Sequence, residues 1–87
     1  MLFLIVYDIK ETEQKEKFLD KLSSMGIYIQ FISNGYILST SYNREDIFNS
    51  LRIEMLNSDL LMITDTSLPQ MSGWIPATAV EWLKHNK

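Results

Sequence analysis

The chain has no cysteine, and it has only one histidine, three glycines and two prolines. The lack of cysteine excludes disulfides and thiolate metal sites, which suits a reducing compartment. The glycines are not clustered, so there is no glycine-rich phosphate loop. The single histidine, His85, stands near the C-terminal end, where chains are usually mobile. We therefore expect no catalytic role for His85, and a serine nucleophile has no local base to activate it.

Positive charge is also scarce. The chain has eight Lys and Arg residues and eleven Asp and Glu residues, so the formal net charge is −3 and the pI is about 4.9. A dedicated nucleic-acid binder usually carries a basic surface, and the acidic balance therefore disfavours nucleic acid as a partner. The lysines at positions 10–21 are interleaved with glutamates and aspartates, which is typical of a solvated helix face.

No long hydrophobic run is present. The apolar start, MLFLIVYDI, has no basic region before it and is interrupted by Asp8. It therefore predicts neither a signal peptide nor a membrane span, and we expect a cytoplasmic protein without a membrane partner.

The hydrophobic pattern predicts one α+β domain in residues 1–66. The strands and helices alternate in the order βαββαβ, which is the ferredoxin-like arrangement of an antiparallel four-stranded sheet with both helices on one face. Residues 67–87 form a C-terminal tail, in which Pro76 precedes a short amphipathic helix that packs on the sheet or on a partner subunit. The predicted strands are 2–9, 27–32, 36–41 and 60–64, and the predicted helices are 13–25 and 43–56.

Local signals refine these boundaries. Asn43 is a candidate N-cap of the second helix. Ser33-Asn34-Gly35 predicts a hairpin, because Asn-Gly tolerates the positive φ that tight hairpin turns need. Helical spacing predicts that eight apolar side chains face inward, namely Phe18, Leu19, Leu22, Met25, Ile47, Phe48, Leu51 and Met55.

Both faces of the predicted sheet are apolar. In the first strand, Leu2, Leu4 and Val6 share one face, while the alternate residues Phe3 and Ile5 share the other. Two helices cover only one face, and several large apolar side chains left in water would be unusual for a monomer. The pattern predicts a homodimer. The alternative is that the tail helix alone closes the open face, with Trp74 and Trp82 packing there.

The residues Val6-Tyr7-Asp8-Ile9 at the end of the first strand, followed by this order of elements, resemble the CRISPR-associated protein two-like superfamily of small ferredoxin-like dimers. The tail, Gly73-Trp74-Ile75-Pro76 followed by Glu81-Trp82-Leu83-Lys84, is similar to a short branch labelled SinR-family. Virulence-associated protein D is a more distant relative of that branch. The resemblance covers nearly the whole chain as a pattern of elements.

The resemblance implies that Asp8 is a catalytic residue and a metal ligand. In the nuclease family, the matching aspartates of two subunits approach each other and hold a divalent ion, here Mg²⁺ or Mn²⁺. Such ions prefer oxygen ligands and keep several waters, so one or two carboxylates suffice. The topology places Asp8, Glu11 and Asp59 at one edge of the domain and Asp65 at the opposite end. The alternative is that Asp8 caps the first helix or ends its strand in water.

Two functions follow as hypotheses. The first is a small homodimeric protein of this superfamily that acts as a weak metal-dependent nuclease on RNA or DNA. The second is a non-catalytic interaction module on the same fold, antitoxin-like, phage-encoded or regulatory. The acidic charge favours the second hypothesis, because an acidic surface can engage a basic protein.

Overall fold

A computed structural model describes residues 1–67 and 76–86. The fold is α+β, and its first six elements follow the predicted ferredoxin-like order, with a C-terminal helix added. The elements are β1 (Leu2–Asp8), α1 (Thr12–Ser23), β2 (Ile27–Ile32), β3 (Gly35–Ser39), α2 (Arg44–Arg52), β4 (Leu60–Thr66) and α3 (Ala77–Asn86).

The four strands form one antiparallel sheet in the order β2-β3-β1-β4. One face of the sheet carries α1 and α2, and the main core lies between these layers. Phe3 and Ile5 of β1 pack there against Phe18 and Leu22 of α1 and Leu51 of α2, all of them buried. This core is the largest source of stability, because each fully buried side chain of this size contributes about 1.5–3 kcal/mol.

The second helix begins as predicted and ends early. The side chain of Asn43 accepts a hydrogen bond from the Asp46 amide at 2.8 Å, which caps α2. The helix then stops at Arg52, four residues before the predicted end at Leu56. The prediction that Phe48 faces inward is wrong, since 43% of this residue is exposed. Ile47 occupies the buried position beside it, and consecutive residues of a helix do not share a face, so Phe48 points away from the core.

The hairpin between β2 and β3 lies where Asn34-Gly35 predicts it, but its backbone differs. No residue in the described ranges has a positive φ. The turn is made by Ser33 and Asn34, and β2 carries a bulge between Gln30 and Ile32. Gly35 is needed for space instead, because a Cβ there would lie 2.6 Å from the Ile32 side chain.

The second face of the sheet is covered in part by α3. Leu83 packs against Leu2 and Ile37 in a small separate cluster, and Trp82 lies partly buried at its side. The tail helix therefore packs on its own sheet, toward the β2 side. Trp74, the other predicted tail contact, lies outside the described residues.

The β4 side of the same face is not covered by α3. Cross-strand pairing places Val6 opposite Met62 and Asp8 opposite Leu60 on this face. Leu60 is 65% exposed and Met62 is 61% exposed. We call these four residues the open strip.

Across residues 1–67 and 76–86, none of the helices is both long enough and apolar enough to cross a membrane.

Candidate functional site

Asp8 is the last residue of β1, and its side chain reaches solvent. Its carboxylate is 45% exposed and lies 2.6 Å from the ammonium group of Lys10. Asp8 does not cap the first helix, because the N-cap of α1 is Glu11 and no side chain bonds to that helix end. The aspartate therefore ends its strand in water and is paired with a lysine that is itself 60% exposed.

Asp59 lies at the same end of the sheet as Asp8, as predicted. Its Oδ1 accepts a hydrogen bond from the Lys10 amide at 3.3 Å, and its Oδ2 accepts one from the Leu56 amide at 2.9 Å. These bonds tie the chain after β1 to the turn before β4. The carboxylate of Asp59 is thus engaged by backbone donors and is poorly placed to act as a free ligand.

Asp65 lies at the opposite end of the sheet, also as predicted. It is paired with Phe3 at the start of β1, and its carboxylate lies 3.2 Å from the guanidinium of Arg44. Both side chains are largely exposed, so this ion pair contributes at most about 1 kcal/mol.

The predicted acidic trio of Asp8, Glu11 and Asp59 does not form a metal cage. Within the described residues, no three Asp, Glu, His or Cys side chains come together in a way that could hold an ion. At this end of the sheet the Asp59 carboxylate is engaged by backbone amides, while the Asp8 carboxylate is half-exposed at the end of its strand. Mg²⁺ is often bound by only one or two carboxylates with water or substrate phosphate completing its shell.

The open strip connects Asp8 with the exposed apolar surface. Residues directly opposite in an antiparallel pair project from the same face, so Asp8 stands beside Leu60 and at the end of the row formed by Val6 and Met62. A second molecule that covers Leu60 and Met62 would therefore also approach Asp8. This arrangement places an exposed apolar surface beside an acidic group.

The residue before Asp8 is a buried tyrosine that points to the opposite, helix-covered face. Tyr7 is only 2% exposed, and its ring lies 4.8 Å from that of Phe18 and 6.0 Å from that of Tyr36. Burial, with a smaller contribution from Tyr36, raises the pKa of Tyr7 to about 12. By distance and angle its hydroxyl has no hydrogen-bond partner in residues 1–67 and 76–86, although Tyr36 lies near enough to contribute to this pKa shift.

Two of these features were missed by the sequence reasoning. The use of Asp59 by backbone amides has a sequence signal, because Asp after Asn57-Ser58 is typical of a side chain that bonds to its own turn. The unpaired hydroxyl of Tyr7 has no such sequence signal, because strand alternation predicts that the residue is buried but not that its hydroxyl lacks a hydrogen-bond partner.

Comparisons with known proteins bear on the fold. No protein-family model matches the chain, and no curated protein matches it either. A solved structure with a similar fold is that of TT1823, a hypothetical protein from Thermus thermophilus. It superimposes with a TM-score of 0.61 and 21% sequence identity, over 86% of this chain and 93% of that chain. At this identity the likeness establishes the ferredoxin-like fold of the chain.

Proposed function

We propose that the protein is a homodimeric, metal-dependent nuclease of the CRISPR-associated protein two-like superfamily, with Asp8 as its metal ligand. The observation that carries this proposal is the position of Asp8, whose half-exposed carboxylate stands at the end of the open strip. The proposal is supported by the ferredoxin-like order of elements and by the VYD sequence at residues 6–8.

The dimer would form through the open strip. Leu60 and Met62 are two large apolar side chains in water on the face that α3 leaves uncovered. Burying each of them fully would contribute about 1.5–3 kcal/mol. A two-fold axis near this strip would bring the two Asp8 carboxylates toward each other, since each stands directly opposite Leu60.

In the proposed dimer, side chains of the protein would bind and orient the substrate. The two Asp8 carboxylates would hold Mg²⁺ or Mn²⁺, which would orient a water and stabilise negative charge on a phosphate. Lys10 would exchange its present partner, Asp8, for a phosphate oxygen, since its ammonium group is on a flexible and exposed stem. Asp59 would hold the backbone of Lys10 in place through its 3.3 Å hydrogen bond.

The dimer is tested by replacing Leu60 with lysine, which places a charge in the middle of the proposed interface. Light scattering at micromolar concentration should give about twice the chain mass of 10.2 kDa for the unchanged protein and the single-chain mass for Leu60→Lys. Ile53→Lys is the matched control, because Ile53 is 78% exposed and lies at the end of α2. A monomeric parent protein, or a dimer that survives Leu60→Lys, would refute this interface.

Nuclease activity is tested with single- and double-stranded RNA and DNA in the presence of Mg²⁺, Mn²⁺ or EDTA. We expect cleavage of at least one of these substrates with metal and none with EDTA. No cleavage under any of these conditions would contradict the proposed activity.

A second function has its own support, namely a non-catalytic interaction module. The net charge of −3 and the ion pair between Asp8 and Lys10 favour it, because a neutralised carboxylate is a weaker metal ligand. In this case the dimer would form as above, while no nucleic acid would be cleaved.

A further inference from the structure

We propose that the outer edge of β4 binds an extended, basic segment of another protein, which adds to the sheet as a fifth strand. This inference does not rest on the proposed nuclease function, because it concerns the main-chain edge of β4 and not Asp8, although Met62 of the open strip also lines the groove. It rests on the regularity of β4, on the groove beside it and on the charges that line this groove.

The two edges of the sheet differ in a way that matters for strand addition. β2, at one edge, is interrupted by the bulge between Gln30 and Ile32. β4, at the other edge, pairs with β1 without interruption through all seven of its residues. Bulges, prolines and lysines are the usual devices that keep an edge strand from pairing with another chain. β4 has none of them, since its sequence is LLMITDT.

A strand at an edge offers main-chain groups to a partner. Among the described residues, β4 is paired only with β1, so no described strand occupies its outer row of N–H and C=O groups. Such a row selects an extended backbone, because only a strand matches its spacing of donors and acceptors.

A groove runs beside this edge, between β4 and α2. It is lined by Phe48 on the helix and by Leu61, Met62 and Ile63 on the strand. Phe48 is the large residue expected in the core and found 43% exposed, and in the groove it would contact the side chains of an added strand. Aromatic side chains in such positions contribute strongly to binding.

The charges of the groove favour a basic partner. Arg44 is neutralised by Asp65 at 3.2 Å. Glu45 also lines the groove, and no basic side chain of residues 1–67 or 76–86 lies within ion-pair distance of it. The groove therefore carries one uncompensated negative charge. A lysine or arginine on the added strand would pair with Glu45, and this rim contact would set which partner is preferred.

The test uses a labelled synthetic peptide as long as β4, in which valine and threonine alternate between lysines at both ends. Fluorescence anisotropy should show saturable binding to the full chain. A glutamate-ended version should bind about tenfold more weakly, because it places like charges at Glu45. A fully N-methylated version should bind at least about tenfold more weakly, because it has no amide donors for the edge.

Three variants of the protein test where the peptide binds. Phe48→Ala should weaken binding about five- to tenfold, whereas Ile53→Ala, an equally conservative truncation outside the groove, should not. Glu45→Lys should reverse the preference between the two peptides. Circular dichroism of each variant should show that the variant is folded.

Three results would overturn the proposal. They are the absence of saturable binding by the lysine-ended peptide, equal binding of the N-methylated peptide, and an unchanged charge preference in Glu45→Lys. A molar mass that falls in Phe48→Ala but not in Leu60→Lys would also overturn it, since the edge would then be occupied by a second copy of the chain. None of these results depends on cleavage by Asp8.

Discussion

Replacement of Asp8 by asparagine should lower the rate of metal-dependent cleavage by at least about 100-fold. Loss of a group that merely supports a metal ligand costs about 10–100-fold, so loss of the ligand itself should cost at least the upper value. Asparagine keeps the size of the side chain and removes only its charge. Because Asp8 is 45% exposed and its partner Lys10 is a surface residue, the free energy of unfolding should change by less than about 1 kcal/mol.

The control for this change is Asp65→Asn at the other end of the sheet. Asp65 is also an exposed strand residue in a surface ion pair, here with Arg44. Its replacement should leave the cleavage rate unchanged. Cleavage that survives Asp8→Asn, or that falls equally in Asp65→Asn, would remove Asp8 from the site and would make contamination or general destabilisation the better explanation.

Replacement of Tyr7 by phenylalanine should abolish a large loss of stability at high pH. Because the pKa of Tyr7 is about 12 in the folded chain and about 10 when unfolded, the folded state holds this proton more tightly. The resulting stability is complete below pH 10 and is lost as the pH rises from 10 to 12. A difference of two pKa units corresponds to about 2–3 kcal/mol in the free energy of unfolding.

Urea unfolding at fixed protein concentration measures this effect. At pH 7, Tyr7→Phe should change the free energy of unfolding by less than about 1 kcal/mol, because the hydroxyl that it removes has no partner in the described residues. Between pH 10 and 12 its free energy of unfolding should fall less than that of the parent chain. Tyr42→Phe is the control, since Tyr42 is 47% exposed, and it should keep the parent's pH dependence. A parent and a Tyr7→Phe variant with parallel pH curves would contradict the assigned burial.

The order of elements was predictable because each carries a local signal that tertiary packing reinforces. β2 lies where its apolar run predicts it, and α2 begins at the residue that Asn43 caps. The errors occur where two local signals compete. Ile47 and Phe48 are both apolar neighbours on α2, and the sequence pattern does not decide which of them enters the core.

The hairpin shows a different limit of sequence reasoning. Asn34-Gly35 is associated with positive φ, but here the turn lies within the predicted Ser33-Asn34-Gly35 without positive φ, and β2 carries a bulge before it. Glycine is still required, because its position lies against Ile32. Local propensity therefore located the turn correctly, while its backbone conformation differs from the one that Asn-Gly predicts.

The candidate site was predictable in position and less so in composition. The topology alone places Asp8 and Asp59 at one edge and Asp65 at the other, because antiparallel pairing fixes which strand ends meet. It does not show that the Asp59 carboxylate is engaged by the amides of Lys10 and Leu56. Side-chain hydrogen bonds of this kind depend on the path of two loops, which no periodic pattern encodes.

The measurement that tests the proposed metal site most directly is a titration of the chain with Mn²⁺, in which electron paramagnetic resonance monitors the bound ion. A paired Asp8 site in a homodimer predicts one bound ion for every two chains, lost in both Asp8→Asn and the monomeric Leu60→Lys variant and kept in Asp65→Asn. Binding of one ion per chain that persists in Leu60→Lys, or no binding at all, would contradict a metal site shared between two copies of Asp8.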